Sequence, residues 1–164
     1  MLGDSITADG DWTAAIPDRR VRNRGIPWDT TADLLERLDE SLTGPPEAVV
    51  ILIGTNDLEF GVAHAQTVRN TCLILDRISS TAPGTRVVLQ TVLPRSDRYN
   101  TLVAPLNAAL ARVCDERDVE FLDLTVHFAG SDGRLEPAMT DDGLHPNSTG
   151  HRRWAELLRE VLGS

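Results

Sequence analysis

The chain has 164 residues, 41% of them hydrophobic and 25% charged, and this composition is typical of a single soluble globular domain. At this length about two thirds of the unfolded surface can be buried, so a core can form without metals or disulfides. The formal net charge is −9, with 25 acidic residues against 16 basic residues. This charge argues against nucleic acid or an anionic membrane as the main partner. The arginine-rich stretch at residues 19–24 is expected to be a solvated edge.

The first residues of the chain bear on its cellular location. Residues 1–5 contain neither the positive segment nor the apolar segment of a signal peptide. Across the whole sequence, no apolar run approaches the roughly 18 residues that span a membrane. The chain as written is therefore expected to be cytoplasmic. A signal peptide in residues upstream of Met1 would make the protein secreted instead.

Apolar runs alternate with helical patterns along the chain. The clearest predicted strand is residues 48–53, a continuous apolar run rich in β-branched residues that ends at Gly54. Alternation of this kind predicts a parallel sheet that is covered by helices on both faces. The other predicted strands are residues 20–23, 87–92 and 119–122, and the predicted helices are residues 30–42, 65–80, 102–118 and 148–162.

Polar segments follow the predicted strands at the points where a parallel sheet binds its ligands. In an open parallel sheet, the ligand crevice lies beyond the carboxyl ends of the strands. Residues 3–7, 23–25 and 54–57 follow the first three strands, and residues 141–146 precede the last helix. We expect these four segments to meet at one rim of the sheet.

The rim segments contain the groups that a nucleophilic serine requires. Ser5 lies in a tight turn after a strand and is the predicted nucleophile, with His145 as its base. Asp142 lies three residues before His145 and can fix the imidazole tautomer. The predicted oxyanion donors are the backbone N–H groups of Ser5 and Gly25 and the side-chain amide of Asn56.

Each of these residues also has a simpler structural explanation. Ser5 and Asp142 could be turn or cap residues, and His145 could be an ordinary loop residue. Asn56 could form an Asx turn, and Gly25 could supply a positive φ. One shared explanation for all the rim segments is favoured over a separate explanation for each.

The order and wording of the segments resemble a known family. Gly3-Asp4-Ser5-Ile6, Asn23-Arg24-Gly25, Gly54-Thr55-Asn56-Asp57 and Asp142-Gly143-Leu144-His145-Pro146-Asn147 together resemble the four sequence blocks of the SGNH hydrolases, also called the GDSL lipase/esterase family. The resemblance spans nearly the whole chain and treats residues 1–164 as one domain. It implies a flavodoxin-like, three-layer α/β/α sandwich of about five parallel strands.

The resemblance also implies a reaction and a set of roles. Members of the family hydrolyse ester or thioester bonds through an acyl-serine intermediate and need no metal or organic cofactor. By block, Ser5 would be the nucleophile, His145 the base and Asp142 its partner, with Gly25 and Asn56 as oxyanion donors. A small-molecule ester is therefore the expected partner, and the sequence indicates no particular oligomeric state.

The chain departs from the family at its first strand. Only Met1 and Leu2 precede the first block, whereas the family usually has a full apolar strand there. We therefore expect a shortened central strand and a gap in the core beside it. Of the two explanations, a natural chain that begins upstream is favoured over a protein that tolerates so short a strand.

The short segments between the blocks leave little length for a lid, so an open site for small acyl groups such as acetyl, possibly on a carbohydrate, is predicted. The candidate pocket residues share only a position beside the blocks; they are Asp4, Ile6, Leu58, Leu93, Pro94 and Leu144. Trp12 and Trp28 could stack on a sugar or cap the pocket, but packing inside the protein is favoured for both.

Three functions remain open at this point. The favoured function is a serine esterase that acts on small carboxylic esters. The second is an acyltransferase in which an acceptor alcohol replaces water at the same residues. The third is a non-catalytic binding module that keeps the fold, and the complete set of predicted catalytic residues argues against it.

Overall fold

The computed structural model describes residues 1–163, which form one five-stranded parallel sheet with the strand order β2-β1-β3-β4-β5. The strands are β1 (Leu2–Gly3), β2 (Arg24–Gly25), β3 (Ala48–Leu52), β4 (Arg86–Gln90) and β5 (Glu120–Leu122). This order is that of the flavodoxin-like doubly wound sheet, so the predicted fold class is confirmed.

Helices connect the strands and cover both faces of the sheet. The helices are α1 (Ser5–Ala8), α2 (Trp12–Ala15), α3 (Thr31–Glu36), α4 (Leu38–Ser41), α5 (Thr55–Glu59), α6 (His64–Thr81), α7 (Asn100–Arg117), α8 (Thr125–Phe128) and α9 (Ser148–Leu162), with a 3-10 helix at Pro137–Met139. The four short helices α1, α2, α5 and α8 were not predicted from the sequence. Within residues 1–163, no helix is both long enough and apolar enough to cross a membrane.

Two predicted elements, the second strand and the first long helix, are corrected by the structure. The second strand lies at Arg24–Gly25 rather than at residues 20–23, because it pairs with a β1 that contains only Leu2 and Gly3. The helix predicted at residues 30–42 is divided in two at Arg37, whose φ of −92° and ψ of 7° are not helical. The Arg37 side chain instead reaches Asp29, 2.5 Å away.

Two separate cores lie on the two faces of the sheet. Alternate residues of β3 point to opposite faces. Val49 and Ile51 enter the α6-side core, which we define by Leu34, Leu58, Ile74 and Leu110. Val50 and Leu52 enter the α9-side core, which we define by Ile6, Trp12, Leu93 and Trp154.

The shortened β1 leaves the expected gap beside it. Leu2 and Gly3 pair with Ile51 and Leu52, so the first three residues of β3 have no β1 partner. A cavity of about 670 Å³, lined partly by Met1 and Ala48, opens at this end of the sheet. It lies at the opposite end of the strands from the rim segments.

Candidate active site

The structure brings Ser5, His145 and Asp142 into one chain of hydrogen bonds. The Ser5 Oγ lies 3.0 Å from Nε2 of His145, although the two residues are 140 positions apart. The Nδ1 of His145 lies 2.7 Å from Oδ2 of Asp142. With Nδ1 protonated and donating to the carboxylate, Nε2 is free to accept the serine proton.

The turn between β1 and α1 presents Ser5 at the rim. Gly3 ends β1, and a Cβ at this position would clash with the Thr7 hydroxyl and the Leu52 carbonyl oxygen. Asp4 caps α1 by accepting a hydrogen bond from the Ile6 N–H at 3.0 Å. Ser5 is thus the first residue of α1, and no described group accepts a hydrogen bond from its N–H.

The loop before α9 holds Asp142 and His145 together. Asp142 Oδ1 accepts hydrogen bonds from the N–H groups of Leu144 at 2.9 Å and His145 at 2.8 Å. Burial by itself would raise the pKa of Asp142, but these hydrogen bonds and the one from the His145 ring hold it well below its usual range. Asp142 is therefore a charged carboxylate at neutral pH and can accept the hydrogen bond from the imidazole.

Asn56 lies at the same rim on α5. The chain leaves β3 through Gly54, whose φ of 123° favours glycine, and Asn56 follows as the second residue of α5. One N–H of its side-chain amide donates to the Asp29 carbonyl oxygen at 2.9 Å. This bond fixes the orientation of the amide, and the second N–H remains available to a ligand.

Gly25 has a different part in the structure from the predicted one. Its N–H donates to Oδ1 of Asn23 at 3.0 Å, so it is not free for a substrate oxygen. A Cβ at Gly25 would clash with the backbone of Ala8 and would lie 2.8 Å from the Asp4 carbonyl oxygen. Glycine is needed here because β2 packs closely against α1.

Trp28 lies three residues further along the same loop and departs from its predicted packing role. Its side chain is 67% exposed, whereas Trp12 is 2% exposed and stacks edge-on against Trp154 as predicted. Trp28 also has a φ of 72°, which is rare for a bulky residue. No described group accepts a hydrogen bond from the backbone N–H of Trp28.

Most of the candidate pocket residues lie inside the protein. Ile6 and Leu93 belong to the α9-side core and Leu58 to the α6-side core, while Asp4 and Pro94 are also buried. Leu144 is partly exposed beside His145. Selection by sequence position beside the rim segments therefore identified mainly buried residues that pack beneath the site rather than residues that line it. The exposed apolar side chains on the segments around Asn56 are Ile26, Trp28 and Phe60.

Asp4 is a buried carboxyl directly before Ser5. Its side chain has no solvent exposure, and Oδ2 has no hydrogen-bond partner among the described residues. Burial raises the pKa of Asp4 to about 7, and the hydrogen bond from the Ile6 N–H opposes this shift. Asp4 can therefore titrate near neutral pH while it caps the helix that presents Ser5.

Arg95 is a residue that sequence reasoning did not identify. It follows Leu93 and Pro94, is 2% exposed, and lies 2.9 Å from Oε2 of Glu59 on α5. Arginine is a residue type expected at the surface, so its burial has no sequence signal apart from its position after a buried strand.

Comparison with known proteins agrees with this architecture. The model of the GDSL-like lipase/acylhydrolase family matches residues 1–153, and the chain belongs to this family. No functionally curated protein matches the chain. Among the described residues, no group of three or more His, Cys, Asp or Glu side chains could hold a metal ion.

Solved structures share the fold over almost the whole chain. A protein from Streptococcus pneumoniae, proposed to be a platelet activating factor, has 27% identity and a TM-score of 0.93, covering 98% of this chain and 81% of that chain. A proposed acylhydrolase from Bacteroides fragilis has 27% identity and a TM-score of 0.85, covering 99% and 84%. An acetyl xylan esterase has 18% identity and a TM-score of 0.86, covering 98% and 97%, and is similar in fold alone.

Proposed function

We propose that this protein is a serine esterase that hydrolyses small carboxylic esters through an acyl-Ser5 intermediate. The observation that carries the proposal is the hydrogen-bonded chain from Ser5 through His145 to Asp142 at the rim of the sheet. Membership of an acylhydrolase family supports the class of reaction.

The first half of the cycle acylates the serine. His145 Nε2 takes the proton of the Ser5 hydroxyl as Oγ attacks the ester carbonyl carbon. The Asp142 carboxylate stabilises the imidazolium that forms. When the tetrahedral species collapses, the bond to the alcohol oxygen breaks and Nε2 returns the proton to that oxygen. The alcohol leaves, and the acyl group remains on Ser5.

The second half repeats the same steps with water. Nε2 takes a proton from a water molecule, whose oxygen attacks the acyl carbon. Collapse of the second tetrahedral species breaks the bond to Oγ, and Oγ recovers the proton from Nε2. The carboxylic acid leaves, and both Ser5 and His145 return to their starting states.

Three hydrogen-bond donors would face the developing oxyanion in this mechanism. Two are those predicted from the sequence, the Ser5 N–H and the free N–H of the Asn56 amide. The third is assigned to the backbone N–H of Trp28, because the backbone N–H of Gly25 is bonded to Asn23. Trp28 precedes Asp29, whose carbonyl oxygen holds the Asn56 amide, so the two donors lie on adjoining segments.

The substrate range in this proposal is short-chain acyl esters, including acetyl groups on carbohydrates. The side chains of Asp142 and His145 are partly exposed, which is consistent with an open site that admits varied alcohols. The fold is shared with an acetyl xylan esterase, so acetylated sugars belong in the first substrate panel.

Hydrolysis of p-nitrophenyl acetate by the purified protein tests the proposal. Ser5→Ala should abolish turnover and also abolish labelling by a fluorophosphonate probe. Ser79→Ala removes an exposed hydroxyl on α6 and should change neither readout. Unchanged turnover or labelling in the Ser5 variant would exclude Ser5 as the nucleophile.

A further inference from the structure

Three apolar side chains are exposed on the loop after β2 and at the end of α5. Ile26, Trp28 and Phe60 are 44%, 67% and 58% exposed. Scattered exposed apolar residues are ordinary, but a group of them beside a catalytic centre requires an explanation.

Two hydrogen bonds place these side chains on either side of Asn56. The Asn56 amide donates to the Asp29 carbonyl oxygen at 2.9 Å, which joins α5 to the loop that carries Trp28. The Phe60 N–H donates to the Asn56 carbonyl oxygen at 2.9 Å, so Phe60 lies one turn after Asn56. Residues four apart lie on the same side of a helix. Phe60 therefore projects from the side of α5 that faces the Trp28 loop.

The backbone of Trp28 indicates that its exposure has a use. A φ of 72° costs roughly 1–2 kcal/mol for a residue that has a Cβ. Packing of the indole into a core would offset this strain, but the side chain is mostly in solvent. Strained residues of this kind cluster at active sites and ligand sites.

The two sides of the catalytic serine belong to different faces of the sheet. Leu144, beside His145, packs against the α9-side core. Leu58 of α5 lies in the α6-side core, as does Leu34 of α3. Ser5 follows β1, which lies in the sheet between the two cores. His145 therefore approaches Ser5 from one side of the sheet, and the Asn56 amide approaches it from the other.

The mechanism assigns each half of an ester to one of these sides. The alcohol oxygen must lie at His145 Nε2, because that atom supplies its proton. The carbonyl carbon of the acyl group stays bonded to Ser5 Oγ, and its oxygen faces the Asn56 amide. The acyl chain therefore extends away from His145, toward the side that carries Trp28 and Phe60.

We propose that Ile26, Trp28 and Phe60 form the binding surface for the acyl group, and that the preferred substrates are esters with apolar acyl chains of about four to six carbons. The inference rests on the proposed esterase function and narrows its substrate class. The three side chains carry no charge, so an acyl chain with a carboxylate gains nothing from this surface. An acetyl methyl group is too short to cover an indole.

Two ester series separate the acyl side from the alcohol side. The first series is p-nitrophenyl acetate, butyrate and hexanoate, which share a leaving group. The second is methyl, phenyl and naphthyl acetate, which share an acyl group. In the wild-type protein, kcat/KM should rise by roughly two- to fourfold for each added acyl methylene.

Replacement of Trp28 should weaken this preference for longer acyl chains. Trp28→Ala and Trp28→Gly should each lower the hexanoate-to-acetate ratio of kcat/KM about tenfold. The glycine variant accepts the positive φ without strain, so equal effects in both variants assign the loss to the indole. Phe60→Ala should lower the ratio in the same direction. Leu73→Ala, on the exposed face of α6, should leave both series unchanged.

The remaining outcomes contradict the inference. An equal loss on every ester would mean that the Trp28 side chain only holds the loop and its backbone N–H in place. A change confined to the alcohol series would place the surface on the other half of the substrate. An unchanged ratio would remove the surface altogether. Fluorophosphonate labelling of Ser5 in each variant separates these results from failure of the esterase proposal, in which Ser5 would be neither labelled nor active.

Discussion

Arg95 and Thr55 are joined by two hydrogen bonds in the protein interior. The Arg95 Nη1 donates to the Thr55 carbonyl oxygen at 3.2 Å and to its hydroxyl oxygen at 3.1 Å. Thr55 directly precedes Asn56, and the residue after Arg95, Ser96, donates its N–H to the Gly143 carbonyl oxygen at 2.8 Å. The loop after β4 therefore connects the helix that carries Asn56 to the loop that carries Asp142 and His145.

Loss of the Arg95 guanidinium should weaken both the fold and the site. Arg95→Met keeps the volume but leaves the Thr55 carbonyl oxygen and the Glu59 carboxylate without their donor. We expect a loss of about 1–3 kcal/mol in the free energy of unfolding, measured by urea denaturation. The free energy of unfolding of Arg95→Lys should fall between those of the wild-type protein and Arg95→Met, because an ammonium group cannot reproduce the planar set of donors.

Arg77→Met is the matched control for the loss of an arginine. Arg77 pairs with Asp39 on the surface, and exposed ion pairs contribute little. This variant should unfold at nearly the same urea concentration as the wild-type protein and keep its kcat/KM. Equal destabilisation by the two methionine variants would contradict a special role for Arg95.

The contact between Ser96 and Gly143 should fix the geometry of the loop that carries Asp142 and His145. Gly143 has a φ of 82°, and a Cβ there would lie 2.7 Å from the Ser96 Cβ. Gly133 has a φ of 75° with no atom near its Cβ position, so Gly133→Ala carries the conformational cost alone. Gly143→Ala should therefore lower kcat more than tenfold, whereas Gly133→Ala should lower only stability, by about 1 kcal/mol. Equal kcat values in the two variants would show that the Ser96–Gly143 contact does not set the geometry of this loop.

The rim residues could be predicted because their position depends on local sequence and on the parallel order of the strands. Ser5 follows a strand directly, and Asp142 and His145 lie three residues apart in a single loop, so little tertiary information is needed. The bond of the Gly25 N–H to Asn23 could not be predicted in the same way. The two residues are only two positions apart. The Asn23 amide, however, is oriented by donating to backbone carbonyl oxygens at Thr7, Ala8 and Gly10, which is a contact between segments.

Burial decides the features that residue type alone misjudged. Arg95 is charged yet buried because the carboxylates of Glu59 and Asp97 and the Thr55 carbonyl oxygen satisfy its donors inside the protein. Trp28 is apolar yet exposed because its loop turns away from both cores with a positive φ. Helical periodicity likewise gave no indication of the break at Arg37, because the break accompanies an ion pair between Arg37 and Asp29 that the periodicity does not encode.

Asp4 should make stability depend on pH in a direction opposite to that of a paired carboxylate. Burial raises its pKa to about 7 in the folded protein, against 3.8 for an ordinary aspartate, while a charged His145 lowers it and the Asp29 charge raises it. Between about pH 4 and pH 7 the folded state therefore holds a proton that the unfolded state has lost. Stability falls as pH rises through this window, by at most about 1.4 kcal/mol per pH unit.

Asp4→Asn isolates this contribution. The Asn side chain still caps α1 but stays neutral in both states. The free energy of unfolding of the variant, relative to wild type, should rise from pH 4 to pH 7 and then level off. Urea denaturation at half-unit intervals of pH measures the difference, and parallel stability curves for the two proteins would show that Asp4 does not titrate in this range.

Asn56 and Asn107 form a matched pair for separating chemistry from stability. Both are nearly buried, and Asn107 bonds through its amide to the Val92 carbonyl oxygen and N–H, each at 2.8 Å. Asn107→Ala should therefore lower stability by about 1–3 kcal/mol while each folded molecule keeps its kcat. Asn56→Ala should also lower stability, because the Asp29 carbonyl oxygen loses its donor.

The kinetic effect should distinguish the two asparagines. Removal of one oxyanion donor typically lowers kcat by a factor of about 10² to 10³. Asn56→Ala should show this loss on p-nitrophenyl acetate, assayed without urea at a temperature where both variants are folded. KM should change little, because the oxyanion exists only after attack. If kcat in the Asn56 variant fell no further than in the Asn107 variant, the Asn56 amide would serve only to hold Asp29.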